Sequence, residues 1–304
     1  RVFKRYQIGP VWRADRPGHG RYREFYQCDI DTVGSKSVLS DCEIILVLAE
    51  VINALGLNDF TFHLNSRKVL EGLLTAYDIS EDKHNDALTA LDKLDKIGVE
   101  GVSEELKQRR ISDSSVVQMV DDLTSQDVVE SIKSRLKKAD LGQEGIQEVI
   151  DIMSVVCPII GQQAVIFSPF LARGLDYYTG PIFEVTSPGI SSSIASGGRY
   201  DNLIGMFSDG REYPACGGSL GIERLLLLLE EKGAATEVNP IPVFLTVWDK
   251  DLGRDMLFKA DMLRKAGIAT EIYLGEGNIS QQLKLSSSRG FRFSVICGPD
   301  EKSN

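Results

Sequence analysis

Phe3-Lys4-Arg5-Tyr6-Gln7-Ile8-Gly9-Pro10-Val11-Trp12-Arg13 and, after a short gap, Arg21-Tyr22-Arg23-Glu24-Phe25-Tyr26-Gln27-Cys28-Asp29-Ile30-Asp31 are the two runs from which the fold is read. Both alternate with period two and are rich in Tyr, Phe, Val and Ile, as strands are. Between them, Ala14-Asp15-Arg16-Pro17-Gly18-His19-Gly20 carries Pro-Gly and a second Gly, which is turn chemistry. The pattern predicts an antiparallel hairpin with a basic loop. Strand side chains alternate between faces. Arg21, Arg23, Phe25, Gln27, Asp29 and Asp31 therefore share one face, and Tyr22, Glu24, Tyr26, Cys28 and Ile30 the other. The first face runs from guanidiniums through an aromatic ring to an amide and carboxylates. Guanidinium forks match phosphate oxygens, a ring can stack on a base, and a carboxylate can hold an ammonium. Alternation alone fits equally a solvated strand face with cross-strand ion pairs.

Working outward, Ser40–Gly56 has helical apolar spacing and a terminal glycine. Phe60–Leu64 reads as a short strand with Phe60, Phe62 and Leu64 on one face. From about Ser66 to Gly161 the pattern is helical and charged, with Ala87, Leu88, Leu91, Leu94 and Ile97 at helical spacing. Strands are expected again over Ala164–Thr186 and Ser193–Ser196. The pair Gly217-Gly218 is read as preceding a helix over Gly221–Glu231. Lys232–Pro242 has linker composition. After it, Ile241–Val247, Arg254–Ala266, Ile268–Leu274, Ile279–Gly290 and Phe291–Cys297 alternate strand and helix, the grammar of a parallel α/β unit.

The whole chain is acidic, with net charge −10 over 304 residues, which argues against non-specific nucleic-acid binding. Residues 1–31 are an exception. Arg1, Lys4, Arg5, Arg13, Arg16, Arg21 and Arg23 stand against Asp15, Glu24, Asp29 and Asp31, seven positive and four negative, or +3. Such a patch suits a polyanionic ligand on an otherwise acidic protein. No apolar run reaches membrane-span length, and the N-terminus has no signal-peptide apolar region. The five cysteines form no C-x-x-C and read as buried free thiols in a reducing compartment. His63 and His84 read as structural, and His19 lies in the basic loop. No P-loop or G-x-G-x-x-G follows a strand.

Two further blocks carry polar chemistry. Leu171-Ala172-Arg173-Gly174-Leu175-Asp176-Tyr177-Tyr178-Thr179-Gly180 gathers an arginine, an acid and two tyrosines between glycines. Ala195-Ser196-Gly197-Gly198-Arg199-Tyr200-Asp201-Asn202-Leu203 and Gly217-Gly218-Ser219-Leu220-Gly221-Ile222-Glu223-Arg224-Leu225 combine glycines, which allow close backbone approach to a ligand, with Arg224 in a helix's first turn. The hairpin resembles motif two of class II aminoacyl-tRNA synthetases in its histidyl form. Arg-Gly-Leu-Asp-Tyr-Tyr resembles the signature peculiar to the histidyl-tRNA synthetase family, and the last block resembles motif three. The blocks stand in that family's order, and the resemblance covers nearly the whole chain.

The resemblance implies an α+β catalytic domain, the class II antiparallel sheet flanked by helices with a helical insertion, followed by a partial α/β anticodon-binding domain. It assigns residues 1–80 and 162–232 to the catalytic core, 81–161 to the insertion, 233–240 to a linker and 241–304 to the anticodon-binding part. It implies ATP-dependent activation of L-histidine and transfer to histidine tRNA, with Mg2+ accompanying ATP and no metal-ligating residue identified. Arg13 and Arg173 are the implied catalytic residues. Arg13, Asp15, Arg21, Phe25 and Arg224 are implied to bind ATP, and Gln27, Asp31, Arg173, Tyr177 and Tyr178 to bind histidine. Asp15 and Asp31 stand where many bacterial members have glutamate; eukaryotic-type members use aspartate there. A cytoplasmic homodimer without membrane contact is implied. There is no initiator Met, and motif one and the end of the anticodon-binding domain have no counterpart in these residues. The 304 residues by themselves are therefore expected to bind ATP or histidine weakly and not to charge tRNA efficiently. The rival reading is a non-catalytic relative that senses histidine or tRNA.

Overall fold

The computed structural model describes residues 1–14, 16–172, 177–233 and 241–299. They divide into two compact units, Arg1–Glu231 and Lys232–Asn304.

The first unit is built on a seven-stranded sheet of order β1-β2-β7-β6-β5-β3-β4. β1 (Phe3–Trp12) and β2 (Glu24–Val33) form the expected antiparallel hairpin, in register from Phe3 opposite Val33 to Trp12 opposite Glu24. α1 (Val38–Ala54) follows, capped by Ser37, whose side chain accepts from the Leu39 N–H. That bond satisfies one of the amide donors orphaned at a helix start. Cys42, Ile45, Leu48, Ala49 and Ile52 recur at helical spacing along its buried face. β3 (Thr61–Ser66) buries Phe62 and Leu64, with Phe60 beside them, on the face that its alternation predicts.

Next come α2 (Arg67–Ala76), α3 (His84–Leu91), α4 (Leu94–Gln108), α5 (Asp113–Leu123), α6 (Val128–Arg135) and α7 (Asp140–Ile160). A second apolar cluster joins Leu70, Leu73, Tyr77, Leu88, Leu106, Met119 and Ile132 across these helices. The Tyr77 hydroxyl donates to Asp122 at 2.8 Å inside it. The C-terminal half of α7 has a different partner. Val149, Ile152 and Val156 pack with α1 and the sheet in the main core, so the span read as an insertion ends inside that core.

The strands expected over Ala164–Thr186 are β4 (Val165–Phe167) and β5 (Pro181–Thr186). β4 pairs parallel to β3, the one parallel pair in this sheet among the described residues, while β5 runs antiparallel to it. β6 (Ala195–Arg199) leads to the short α8 (Leu203–Met206), then to β7 (Ala215–Gly221) and α9 (Ile222–Glu231). Gly217-Gly218 precedes the helix as expected, and lies inside a central strand. It sits opposite Gly198 and Gly197 of β6. A Cβ on Gly197 would meet the Gly217 carbonyl and the Phe183 ring, and one on Gly218 would meet Leu48 and Ile44 of α1. On the other face, Gly198 is closed by Tyr178 and Pro181, and Gly217 by the Asp31 carboxylate and the Ile30 carbonyl. These glycines first of all let two strands, a helix and ring side chains close on one another. The expectation of room for a ligand covers only part of their role.

In the second unit, β8 (Val243–Leu245), α10 (Lys250–Lys265), β9 (Thr270–Ile272), α11 (Ile279–Ser288) and β10 (Phe293–Val295) follow the expected alternation. The sheet order is β10-β8-β9, and both pairs are parallel. Asp249 caps α10, and Asn278 with Gln281 forms a reciprocal capping box on α11. Leu245, Met256, Ala260, Ile272 and Cys297 make its small core.

Candidate active site

One face of the β1–β2–β7–β6 sheet carries a cleft in two halves. The first half is lined by Arg13, Gly20, Arg21, Tyr22, Phe25, Ser193, Glu223 and Arg224, among others. The second is lined by Arg5, Gln7, Asp29, Asp31, Tyr177, Tyr178 and Tyr200, with Leu203, Ile204 and Phe207 at one side. Arg13, Gln27, Ser196 and Ser219 line both halves, so the halves meet across these four residues. The described residues expected at a nucleotide (Arg13, Arg21, Phe25, Arg224) fall in the first half. Those expected at an amino acid (Gln27, Asp31, Tyr177, Tyr178) fall in the second. Asp15 and Arg173 lie outside the described residues.

In the first half, the Arg13 N–H donates to the Arg23 carbonyl at 2.9 Å, which closes the hairpin loop. Its guanidinium carbon stands 5.2 Å from the centre of the Phe25 ring, a cation–π distance. Its Nη2 reaches Gln27 Oε1 at 3.4 Å. Arg21 and Arg23 precede β2 and do not belong to its regular strand face as alternation had suggested. Arg21 is held by a bridge to Gly18, because the Pro17-Gly18 turn tightens the loop before the strand begins. Arg224 donates through Nε to the Gly20 carbonyl at 3.0 Å and through Nη1 to the Ser193 carbonyl at 2.5 Å, which ties α9 to the hairpin loop. Glu223 accepts the Tyr26 N–H at 2.7 Å.

In the second half, Gln27 Nε2 donates to Ser219 Oγ at 2.6 Å, orienting the amide at the seam. Asp31 accepts from the Tyr200 hydroxyl and lies 3.6 Å from Arg5 Nε. Tyr177 and Tyr178 have ring centres 4.4 Å apart, and Tyr200 meets Tyr177 edge-on at 6.4 Å. Burial and the neighbouring Tyr177 push the Tyr178 phenol above its ordinary value, and burial and the Asp31 carboxylate do the same to Tyr200. Both are neutral hydroxyls that can donate hydrogen bonds. Tyr200, Glu223, Ser196 and Ser219 are members of the site to which sequence reading gave no role. All lie within the glycine-rich blocks, but only the β6–β7 register shows which of them face the cleft.

Beneath the second half, Arg199 and Asp41 form a buried pair, Nη2 to Oδ2 at 2.5 Å. Burial raises the Asp41 carboxyl to about 6 from 3.8 even though Arg199 pulls it down. Across that window the folded protein holds a proton that the unfolded chain has released, so stability falls as pH rises from about 4 to about 6. Chemical denaturation over this range should show wild type losing on the order of 3 kcal/mol relative to Asp41→Asn. Parallel stability curves for the two proteins would refute the assignment.

His63 and His84 are held in hydrogen bonds outside the cleft. His63 bridges Ser168 and Thr186, and His84 Nε2 meets the Ile79 carbonyl. Among the described residues no group of three or more His, Cys, Asp or Glu could hold a metal ion. No described helix is long and apolar enough to cross a membrane. The cysteines are free, and four of the five are buried.

The family model described as histidyl-tRNA synthetase matches residues 1–225. Among curated proteins, a histidine–tRNA ligase of Ruegeria sp. is 39% identical, covering 99% of this chain and 66% of that protein. One of Rhodopirellula baltica is 40% identical, covering 98% and 69%. The chain thus spans about two thirds of the length of these relatives. Among solved structures, histidyl-tRNA synthetase from Nostoc sp. superposes with a TM-score of 0.77 at 30% identity, covering 99% of this chain and 72% of that one. A Bacillus halodurans protein described as an ATP phosphoribosyltransferase regulatory subunit/histidyl-tRNA synthetase shares the fold, with a TM-score of 0.73 at 19% identity. With a mainly antiparallel sheet bearing a two-part cleft, a small parallel α/β unit after it, and relatives of this kind along nearly its whole length, the chain belongs to the histidyl-tRNA synthetase family.

Proposed function

We propose that the full-length protein activates L-histidine with ATP and transfers it to histidine tRNA, using the two-part cleft. The observation that carries this reading is the seam at Arg13, Gln27, Ser196 and Ser219, where the arginine-rich half opens onto the tyrosine-rich half. An α-phosphate bound in one half and a carboxylate bound in the other would meet there. The carboxylate oxygen attacks the α-phosphorus, pyrophosphate leaves, and a mixed anhydride forms. The terminal ribose hydroxyl of the tRNA then attacks the acyl carbon, and AMP leaves.

Arg13 stands where charge builds on the phosphoryl oxygens, and Arg173 is proposed as its counterpart. Fixed positive charge there stabilises the transition state without moving protons. Phe25 stacks on the adenine, with Arg21 and Arg224 at the triphosphate and base, and Asp15 is proposed to join them. Asp31 and Gln27 hold the amino acid. Tyr178 and Tyr200, as neutral donors, and Tyr177 surround the imidazole. Mg2+ accompanying ATP would shield the charge of the phosphates. Glu223 is the one described carboxylate lining the nucleotide half and would supply a protein oxygen. The exposed basic loop around Arg16 and His19 would face the tRNA. A cytoplasmic homodimer is the expected working form.

The test is ATP–pyrophosphate exchange by the full-length protein with each amino acid in turn. Exchange with histidine alone is the expected result. Histidine binding without exchange would instead make the protein a non-catalytic relative that kept the pocket.

A further inference from the structure

We propose that Arg199 is a positioning residue for the amino-acid half of the cleft, acting from beneath it by tying together the three chain segments that carry the pocket's side chains. The inference rests on the functional reading above.

Arg199 ends β6 and is only 7% exposed. Its Nη1 donates to the Ser35 carbonyl at 3.0 Å and to Asp201 Oδ1 at 3.3 Å. Its Nη2 donates to the Ser37 carbonyl at 3.3 Å and to Asp41 Oδ2 at 2.5 Å. Ser35 and Ser37 belong to the turn between β2 and α1, and β2 carries Asp31 two residues before its end. The guanidinium therefore fixes the exit of the strand that presents the carboxylate.

The main chain of the same residue fixes a second segment. Its carbonyl accepts the Thr179 N–H at 2.8 Å, immediately after Tyr177 and Tyr178. The Asp201 N–H donates to Thr179 Oγ1 at 3.1 Å, so the grip is two-sided. A Cβ on Gly180 would meet the Arg199 side chain, so the segment passes directly over it. The third segment is β6 itself, whose next residue, Tyr200, donates to Asp31. Asp201 Oδ1, held by Arg199, also accepts the Ala215 N–H at 3.0 Å at the start of β7.

The directionality of this network separates it from a general stabilising pair. It reaches the segments bearing Asp31, Tyr177, Tyr178 and Tyr200. The nucleotide half is anchored elsewhere, with Arg224 held by Gly20 and Ser193. A planar five-donor fork can serve these four carbonyl and carboxylate acceptors at once, and an ammonium on a flexible stem cannot hold the same geometry. A displacement of about 1 Å in a positioned group can cost roughly 100-fold.

The experiment measures KM for histidine and KM for ATP in pyrophosphate exchange, using full-length wild type, Arg199→Lys and Asp41→Asn, at a temperature where circular dichroism shows each folded. We expect Arg199→Lys to raise KM for histidine about tenfold or more while KM for ATP stays within about twofold. Asp41→Asn, whose amide oxygen still accepts from Nη2, should give a smaller shift in the same direction. Both KM values unchanged, or both raised together, would overturn the inference. If Arg199→Lys does not fold, Asp41→Asn decides on the same criterion. If wild type itself shows no exchange, the catalytic reading fails separately, and calorimetric histidine binding to the same three proteins decides. Binding about tenfold weaker in Arg199→Lys supports positioning. Equal binding in all three, or none in wild type, overturns it.

Discussion

Replacing Arg13 with alanine is expected to lower kcat for histidine-dependent pyrophosphate exchange by about 10²–10³-fold, while histidine binding measured by calorimetry stays near wild type. The expectation rests on where the guanidinium sits. Arg13 lines both halves of the cleft, its backbone closes the hairpin, and its side chain is braced over Phe25 and toward Gln27. The bracing orders the charge before substrate arrives, so little reorganisation is needed as the phosphoryl oxygens become more negative. An interaction that strengthens in the transition state appears in kcat more than in KM. Arg13→Lys keeps a charge but loses the planar fork and should fall between alanine and wild type. Arg173→Ala is expected to show a loss of the same order, because it is the second implied cation. Near-normal kcat in Arg13→Ala, with the protein folded, would remove Arg13 from the chemistry and with it the argument from the shared seam.

Gly197→Ala is expected to destabilise the unit Arg1–Glu231 by about 3 kcal/mol and to abolish exchange with it. A Cβ there would run into the Gly217 carbonyl, the Gly218 Cα and the Phe183 ring. Two of these are backbone atoms of β7, and they can give way only if the strand shifts. β7 carries Ser219 at the seam and abuts Asp31 through Gly217, so a shift of the strand disturbs the site as well. The control is Gly9→Ala on β1, where a Cβ would meet nothing within 4 Å. That variant should lie within about 0.5 kcal/mol of wild type in urea denaturation. Equal stability of the two variants would mean that β6 and β7 are not packed at this separation.

These two residues also divide what could be read from the chain from what could not. Arg13 was legible because a hairpin is a local object. Alternation, a Pro-Gly turn and a run of arginines specify it within thirty residues, while the start of β2 at Glu24 and its register on β1 are seen in the structure. The α/β unit after residue 240 was legible for the same reason, since each strand and helix there announces its own period. The strands around Phe167 were less so. The stretch from Ala164 to Thr186 was read as strands without bounds, and the two described there, Val165–Phe167 and Pro181–Thr186, pair on opposite sides of β3.

By itself the sequence determined the hairpin, the order of the motifs, the helical stretch between them and the kinds of side chain that line the two halves of the cleft. Tertiary structure alone decided that Gly197 faces Gly218 in adjacent central strands, that Tyr200 reaches back 169 residues to Asp31, and that Arg199 pairs with Asp41 across 158. It also decided that the second half of α7 belongs to the main core. The physical reason is that period and turn chemistry act between near neighbours in the chain. Strand order, cross-sheet register and buried charge pairing are set by contacts between distant segments, and no local pattern encodes their partners.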